Sequence, residues 1–397
     1  MPAWVRGQGE WEASYLLCDP TGKHPNTVLS RAIGLFFSLP ANWTKLSPVR
    51  GKCVSGVADG PAIAALRLAG CLALCLAKTA SAQWFDQGPV FTVIEENDLV
   101  VDTDRHYTQG IKLTYLHTDN DVPAWLLWLS QALPPWGFTV HATKLGTQIG
   151  QDIYTPADLS STQLLTNDRP YGGWFYTGLI LQRRGLTTGG KPVLENFRFD
   201  AGIIGPSSLA DRAQTWVHEV RGFETPRGWD HQLRNEPGFA LKYERRWLFS
   251  QSHRENRWLD FIPQTGLSLG NAETSFRAGG SVRLGWNLPE DFGAQTVHSL
   301  SPPDGGWSVS RCGGQFGAYA FVGAEGSAVL FSEFLDGNLW HASHHVEHEV
   351  WVGEWKVGLA VVLNRVELGY TQVYRTREFT GQTEISGYGS VWLKVKF

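Results

Sequence analysis

Two polar side chains, Gln214 and His218, lie in a segment with the periodicity of a helix and could carry chemistry. Residues 208–221 place apolar side chains at helical spacing, with Ser208 suited to the start and Gly222 to the end. Residues four apart share a helix face. An imidazole titrates near neutral pH and therefore suits a general base. The sequence predicts a short helix that presents these two side chains together.

Two other motifs have simpler structural explanations. Residues 266–270 match the nucleophile pattern G-x-S-x-G, but that pattern requires a strand–turn–helix context. Here it lies within an alternating strand, so we expect Ser268 to be structural. Four histidines crowd residues 341–348, which suits either a zinc site or a polar loop at the mouth of a barrel. Because short motifs often match by chance, we favour the loop.

A two-residue alternation of apolar and polar side chains recurs along residues 83–397. In one example, Phe276 and Trp286 belong to an apolar face, and Arg277 and Arg283 to the opposite face. Segments of about ten residues with this period are typical of outer-membrane β-barrels, whereas soluble sandwiches use strands of about five or six. The sequence therefore predicts an all-β fold, a transmembrane antiparallel β-barrel of about 12 strands with a polar lumen. The short α-helix would lie in a loop near the active site.

A second segment, residues 122–136, is apolar, rich in Trp and outside the strand pattern. It fits an interfacial segment beside the bilayer and a packed loop equally well.

The first 82 residues carry the features of a secretory signal. The apolar run 68–77 follows Arg67 and precedes Ala80-Ser81-Ala82, and a basic flank, a short apolar core and a small-residue cleavage site define such a signal. We therefore predict a poorly ordered upstream extension that is not native (1–49), a signal peptide (50–82) and a barrel domain (83–397). No later apolar run approaches the length of a membrane-spanning helix.

Charge and cysteine content exclude other classes. Residues 83–397 hold 26 of the 34 basic residues and 34 of the 38 acidic ones, so nucleic acid, which requires a positive surface, is not an expected partner. Cys312 is the one cysteine after residue 75, which excludes a disulfide framework in the barrel domain.

Several polar clusters, ordinary turn chemistry when taken singly, are specific as an ordered set. In chain order they are E-N-D at 96–98, Y-T-Q-G at 107–110, G-Q-D-I-Y-T-P at 150–156, D-R-P-Y-G-G-W at 168–174, I-G-P-S at 204–207, Q-x-x-x-H at 214–218 and G-W-D-H-Q-L-x-N-E at 228–236. With these motifs the chain resembles the lipid A deacylases of Gram-negative outer membranes, the LpxR family. The resemblance covers residues 92–397 and is densest up to Glu236.

The resemblance implies a twelve-stranded barrel and calcium-dependent hydrolysis of the ester-linked acyl group at the 3′ position of lipid A. It also implies a location in the outer membrane after signal-peptide removal. The expected partners are lipid A or lipopolysaccharide as substrate and the surrounding outer-membrane lipids. We expect a monomer.

Matching motif to motif, the resemblance implies that His218 is the catalytic histidine, with Gln214 one turn before it. Asn97 and Asp98 match an essential Asn-Asp pair, and Thr108 matches the threonine of the Y-T-x-G motif. The further assignments are Asp98 and Glu224 as metal ligands, and Arg105 and Arg169 as substrate-binding residues. The two arginines stand in for basic residues that the family carries after Y-T/S-P, since residues 157–165 contain no Lys or Arg.

The chemistry of these residue types is consistent with ester hydrolysis. No serine has the context of a nucleophile, so water activated by His218 is the economical choice. Ca²⁺ prefers oxygen ligands, which Asp98, Glu224, Thr108, Gln214 and backbone carbonyls supply, and it would polarise the ester carbonyl. Asn97 would orient the base or donate to the oxyanion. The alternatives are a passive or porin-like barrel and an outer-membrane phospholipase.

Overall fold

The computed structural model describes residues 88–98, 106–118, 121–250, 257–304 and 316–397. The predicted regions 1–49 and 50–82, together with Arg105 and Cys312, lie outside these residues. Within them, no helix is both long and apolar enough to cross a membrane.

Twelve antiparallel strands form a closed barrel, which confirms the predicted fold class and strand number. The strands are β1 (Val90–Asn97), β2 (His106–Leu116), β3 (Phe138–Thr155), β4 (Gly172–Thr187), β5 (Pro192–Ile204), β6 (Glu236–Trp247), β7 (Leu259–Gly270), β8 (Glu273–Trp286), β9 (Phe316–Ser332), β10 (Trp351–Leu363), β11 (Val366–Arg375) and β12 (Ser386–Lys396). Each strand pairs with its neighbours in the chain, β6 with β7 included, and the pairing of β1 with β12 closes the barrel. A two-residue strand, Phe249–Ser250, extends the edge of β7.

The barrel has two ends that differ in their connections. We call the end at which β1 begins and β12 finishes the terminal end, and the opposite end the loop end. Among the described residues, three α-helices lie in connections: α1 (Ala124–Ala132) at the terminal end, and α2 (Ala210–Arg221) and α3 (Glu333–Asp336) at the loop end. The segment 122–136, undecided from sequence, thus contains α1.

Alternation along the strands separates two environments. Outward-facing apolar side chains such as Phe276 and Leu284 are exposed, while the inward-facing Arg277 and Arg283 are buried. The inward charges are paired, for example Arg283 with Asp260 at 2.7 Å. An apolar outer wall around a polar interior is the pattern of a membrane barrel, as the sequence predicted.

Residues 287–304, between β8 and β9, fold into the lumen and are here called the plug. Lys112 of β2 donates to the carbonyls of Thr296 and Val297 at 3.0 and 2.9 Å, and Arg246 of β6 donates to Phe292 O at 2.9 Å. Inward side chains from two separate strands of the barrel therefore bind the backbone of the plug, which occupies the interior.

Candidate active site

Helix α2 lies against the outer face of the barrel wall, across β1 to β4. Its first residue, Ala210, packs in one buried cluster with Ile153 of β3. At its other end, Arg221 approaches Glu95 of β1, with 3.5 Å between Nη2 and Oε1. Ile153 and Glu95 alternate with inward-facing residues of their strands, so both point outward. The helix therefore covers the outer wall rather than the lumen.

The turn before α2 is held by residues of the sequence motifs. Gln151 of β3 donates from Nε2 to Ser208 O at 2.7 Å, and Ser207 N donates to Asn235 Oδ1 at 2.7 Å. Gly205 takes a φ of 93° where a Cβ would meet the backbone of Arg234, so glycine is required there.

The predicted cap at the start of the helix is wrong. Ser208 ends a 3-10 turn, and Leu209, at φ 59°, occupies the cap position with no side-chain hydrogen bond. The tie from Gln151 and the packing of Ala210 replace the local capping that the sequence suggested. The predicted end is confirmed, since Gly222 adopts a left-handed φ of 75°.

Gly173 of β4 allows the helix to approach the wall closely. A Cβ built on this residue would collide with Ala210 Cβ and Ser208 Oγ. The glycine of the D-R-P-Y-G-G-W motif therefore has a specific steric function: it admits the first turn of α2.

His218 and Gln214 lie on the buried face of α2, as predicted, while Trp216 and Val220 on the opposite face are exposed. His218 Nδ1 lies 2.7 Å from the backbone carbonyl oxygen of Glu224. Because a carbonyl oxygen only accepts, Nδ1 carries the proton of the neutral ring and Nε2 carries the lone pair. The carbonyl thus fixes the tautomer that a general base requires.

Gln214 is oriented by Trp229. The indole Nε1 donates to Gln214 Oε1 at 2.9 Å, which directs the amide nitrogen away from Trp229. Gln214 Nε2 is buried and has no hydrogen-bond partner within the part of the chain that is described. Because a buried donor without a partner is costly, this amide is available to a water molecule or a substrate oxygen.

Asn97, Asp98 and Thr108 lie where β1 ends and β2 begins, and all three are buried. The register between β2 and β3 shifts from Tyr107 to Gln109, so that Thr108 is an extra residue in its strand. Its hydroxyl lies 2.5 Å from that of Thr155. A β-bulge turns a side chain away from its regular position in the strand. Here the bulge brings the Thr108 hydroxyl against the Thr155 hydroxyl.

Helix geometry places His218 on the outer side of the wall, over the ends of β1 and β2. Ala210, over β3 and β4, lies eleven residues before Arg221, or about 16 Å along a helix axis. The wall from β1 to β4 spans three strand spacings, about 14 Å, so the helix crosses the strands nearly at right angles. His218, about 12 Å from Ala210 along that axis, therefore lies over the ends of β1 and β2, where Asn97 and Thr108 are found.

A groove of about 350 Å³ lies on the outer wall beside the start of α2. Its lining is mostly apolar, and includes Ile111, Leu113, Ile149, Phe175 and Leu209. These residues come from β2, β3, β4 and the turn before the helix. The groove has the character of a binding site for an aliphatic chain.

Two predicted residues have contacts other than those expected. Glu224 takes part through its backbone carbonyl, and its side chain is exposed. Arg169 is buried, with its guanidinium 3.5 Å from Glu378 and stacked 4.7 Å from the ring centroid of Tyr154, an inward-facing residue. Arg169 thus lies on the lumen side of the wall, away from α2, and Arg105 lies outside the described residues.

The other candidate motifs do not form a site with α2. Ser268 is buried within β7 and donates to Glu273 O at 3.0 Å, consistent with a structural role. The histidines of 341–348 lie in the loop before β10, which begins at Trp351 rather than within the cluster. They contact separate partners: His341 lies 3.1 Å from Glu236, and His344 2.7 Å from Asp168 O.

Among the described residues, no group of three or more His, Cys, Asp or Glu side chains is placed to hold a metal. The oxygen donors near the helix are of mixed type: the Asp98 carboxylate, the Asn97 amide and the Thr108 hydroxyl. This donor set fits a hard cation such as Ca²⁺ by chemistry.

Sequence reasoning missed the residues that position the site. The motifs also contain Trp229, Gln151, Gly173 and Thr155, whose residue types do not by themselves indicate a positioning role. The available signal was the alternation within G-Q-D-I-Y-T-P, which directs Gln151, Ile153 and Thr155 to the same face.

Comparison with known proteins decides the family. The model of the family described as "Outer membrane protein LpxR" matches residues 66–397. The chain belongs to the LpxR family. This confirms the resemblance seen in the motifs and supports an outer-membrane location. No curated protein matches the sequence.

Among solved structures, LpxR from Salmonella typhimurium is similar with a TM-score of 0.61 at 20% identity, covering 78% of this chain and 100% of that one. The β domain of the Bordetella autotransporter BrkA matches at a TM-score of 0.39 and 12% identity, covering 78% and 99% of the two chains. The first match shows that the LpxR barrel fold is shared.

Proposed function

We propose that this LpxR-family protein is an outer-membrane esterase that removes the 3′-O-linked acyl chain of lipid A. The observation that carries the proposal is the buried His218, whose tautomer is fixed by the Glu224 carbonyl on the outer wall of a membrane barrel. A base on the lipid-facing side suits a substrate that never leaves the bilayer. The apolar groove beside α2 suits the acyl chain of such a substrate.

We derive the reaction from two groups: the lone pair on His218 Nε2 and the amide donor of Gln214. A water molecule held by His218 Nε2 attacks the ester carbonyl carbon while its proton passes to Nε2. The Gln214 amide, oriented by Trp229, donates to the water or to the substrate. When the tetrahedral intermediate collapses, the C–O bond to the sugar breaks and the proton passes from His218 to the departing sugar oxygen. The products are a fatty acid and a free hydroxyl.

We further propose that Ca²⁺ is held by Asp98 together with neighbouring oxygens of Asn97, Thr108 and backbone carbonyls. When bound, Ca²⁺ would polarise the ester carbonyl and stabilise the developing oxyanion. Glu224, the other residue proposed as a ligand, lies three residues after the end of α2 and is exposed. Removing the Asp98 carboxylate should therefore lower the affinity for Ca²⁺ more than removing the Glu224 carboxylate.

The testing experiment is mass spectrometry of lipid A from cells that express the wild type, His218→Ala or His345→Ala. His345 is an exposed histidine outside the site and serves as the control. We expect the wild type and His345→Ala to remove the 3′ acyl mass with Ca²⁺ and not with a chelator, and His218→Ala to remove none. Near-full activity of His218→Ala would contradict the mechanism.

The phospholipase alternative is tested by offering phospholipid and lipid A together to the same purified protein. Release of fatty acid from phospholipid alone would reject lipid A as the substrate while leaving the esterase chemistry in place.

A further inference from the structure

Residues 121–137, between β2 and β3, form a segment on the outer wall at the terminal end, here called the strap. Arg183 of β4 donates from Nη1 to the carbonyls of Ser130 and Leu133, at 2.5 and 2.7 Å. Arg245 of β6 donates to Trp136 O at 2.8 Å. The wall thus holds the strap at the C-terminal end of α1, where carbonyls lack helical partners, and again two residues before β3.

The strap covers charges that point out of the barrel. Arg183, Glu195 and Arg245 are cross-strand neighbours on β4, β5 and β6. Arg183 Nε lies 2.8 Å and Arg245 Nη2 2.6 Å from the Glu195 carboxylate, to which Tyr243 also donates, at 2.8 Å. Arg183 and Glu195 are buried although they face outward. The strap therefore seals an ion-pair cluster that would otherwise face lipid, where charge is costly.

The same three strands carry an exposed apolar row nearer the loop end. Leu179, Phe199 and Leu241 are cross-strand neighbours, and all are exposed. Each lies four residues from the corresponding member of the charged cluster, about 13 Å along the strand. The strap thus lies directly beside the lipid-facing wall, on its terminal-end side.

The exposed face of α1 is apolar. Trp125 and Trp128 are 64% and 68% exposed, Leu129 is also exposed, and Leu126 and Ser130 face the wall. The helix contains no charged residue. Water is a poor environment for such a face, whereas Trp is favoured at the boundary between lipid headgroups and acyl chains.

We propose that α1 is an interfacial anchor: its Trp125–Trp128 face inserts into the phospholipid headgroup boundary of the leaflet at the terminal end. The partner is the bilayer itself, because the face is continuous with the lipid-facing wall. The charged cluster beneath fixes the helix to the barrel and is shielded by it. The anchor would set how deeply the barrel lies in the membrane.

The test uses nitroxide spin labels on the full chain, with native cysteines replaced by Ser, reconstituted in phosphatidylethanolamine–phosphatidylglycerol vesicles. A label on Trp128→Cys is compared with one on Leu179→Cys, expected in the bilayer, and one on Gln163→Cys, in an exposed loop. Collisions with oxygen, which concentrates in lipid, and with a water-soluble nickel complex report depth. Trp125→Cys repeats the measurement should Trp128→Cys fail to fold, as judged by circular dichroism.

We expect nickel accessibility at position 128 to be several-fold below that at 163, with oxygen accessibility approaching that at 179. Nickel accessibility equal to that at 163 would show that the helix face lies in water and would overturn the proposal. Exclusion of both reagents would show that protein, such as a second copy of the chain, covers the face, and would overturn it as well.

Discussion

Replacement of Gly173 by Ala should disable the site while leaving the barrel intact. A Cβ at this position would overlap Ala210 Cβ and Ser208 Oγ, and neither the first turn of α2 nor the rigid strand offers space. The helix must therefore move outward by an ångström or more to restore van der Waals contact. Because α2 lies outside the wall, the strand pairing need not change.

The expected magnitude follows from this displacement. Overpacking of this kind costs about 1–3 kcal/mol. We expect this cost to weaken the packing of α2 against the wall and to leave the barrel itself unchanged. A displacement of about 1 Å at a catalytic group can lower the rate by about a hundredfold. We expect Gly173→Ala to lose about two orders of magnitude in deacylation rate, with an unfolding midpoint close to that of the wild type.

The assay is the rate of acyl release from lipid A, measured by mass spectrometry. Hydrogen exchange of the amides of residues 210–221 gives a readout independent of activity. Gly326→Ala is the matched control, because a Cβ there meets no atom within 4 Å. In the double variant with Ala210→Gly, part of the clash is removed, and partial recovery of both protection and rate is expected.

The steric account would be refuted if Gly173→Ala matched Gly326→Ala in both rate and helix protection. Loss of rate with unchanged protection would also count against it, because the loss is attributed to the position of α2.

Three further predictions concern other parts of the molecule. Trp229→Phe removes the donor to Gln214 and should slow deacylation about tenfold or more, because the amide loses the contact that orients it. The lost buried hydrogen bond should lower the unfolding free energy by about 1–3 kcal/mol, which leaves the barrel folded. Trp340→Phe, at an exposed tryptophan, should match the wild-type rate, and a wild-type rate for Trp229→Phe would contradict the orienting role. The wild type should conduct few ions in planar bilayers, and removal of plug residues 289–301 should raise the conductance; a large wild-type conductance would instead favour the porin-like alternative. Burial raises the pKa of Glu333 from 4.5 to about 9, helped by its hydrogen bond to Glu236, so its stabilising contribution is complete below about pH 4.5 and is lost as the pH rises to about 9. The unfolding free energy of the wild type minus that of Glu333→Gln should fall over this range, by at most about 1.4 kcal/mol per pH unit, and a difference independent of pH would contradict the raised pKa.

Local patterns in the sequence were enough to predict the barrel fold and part of the candidate site. The alternation around Arg277 and Arg283 predicted which residues face the lumen, because side chains of a strand point alternately to its two faces. Helical spacing likewise predicted that Gln214 and His218 share a face. Both results depend on periodicities of a single element.

The tertiary structure decided where α2 lies and what holds it. The Glu224 carbonyl, rather than its carboxylate, contacts His218, and Gln151 rather than a Ser208 cap supports the first turn. Arg169, a candidate for substrate contact, lies over Tyr154 on the other side of the wall. These contacts join distant segments of the chain, so no local pattern reports them.

The segment 122–136 shows the same division. Its composition was compatible with a bilayer interface and with a packed loop, and the sequence alone did not separate them. The structure shows that Arg183 and Arg245 hold the segment against the wall while Trp125 and Trp128 remain exposed. Periodicity determines which side of an element is apolar, but only the assembled barrel determines which surface that side meets.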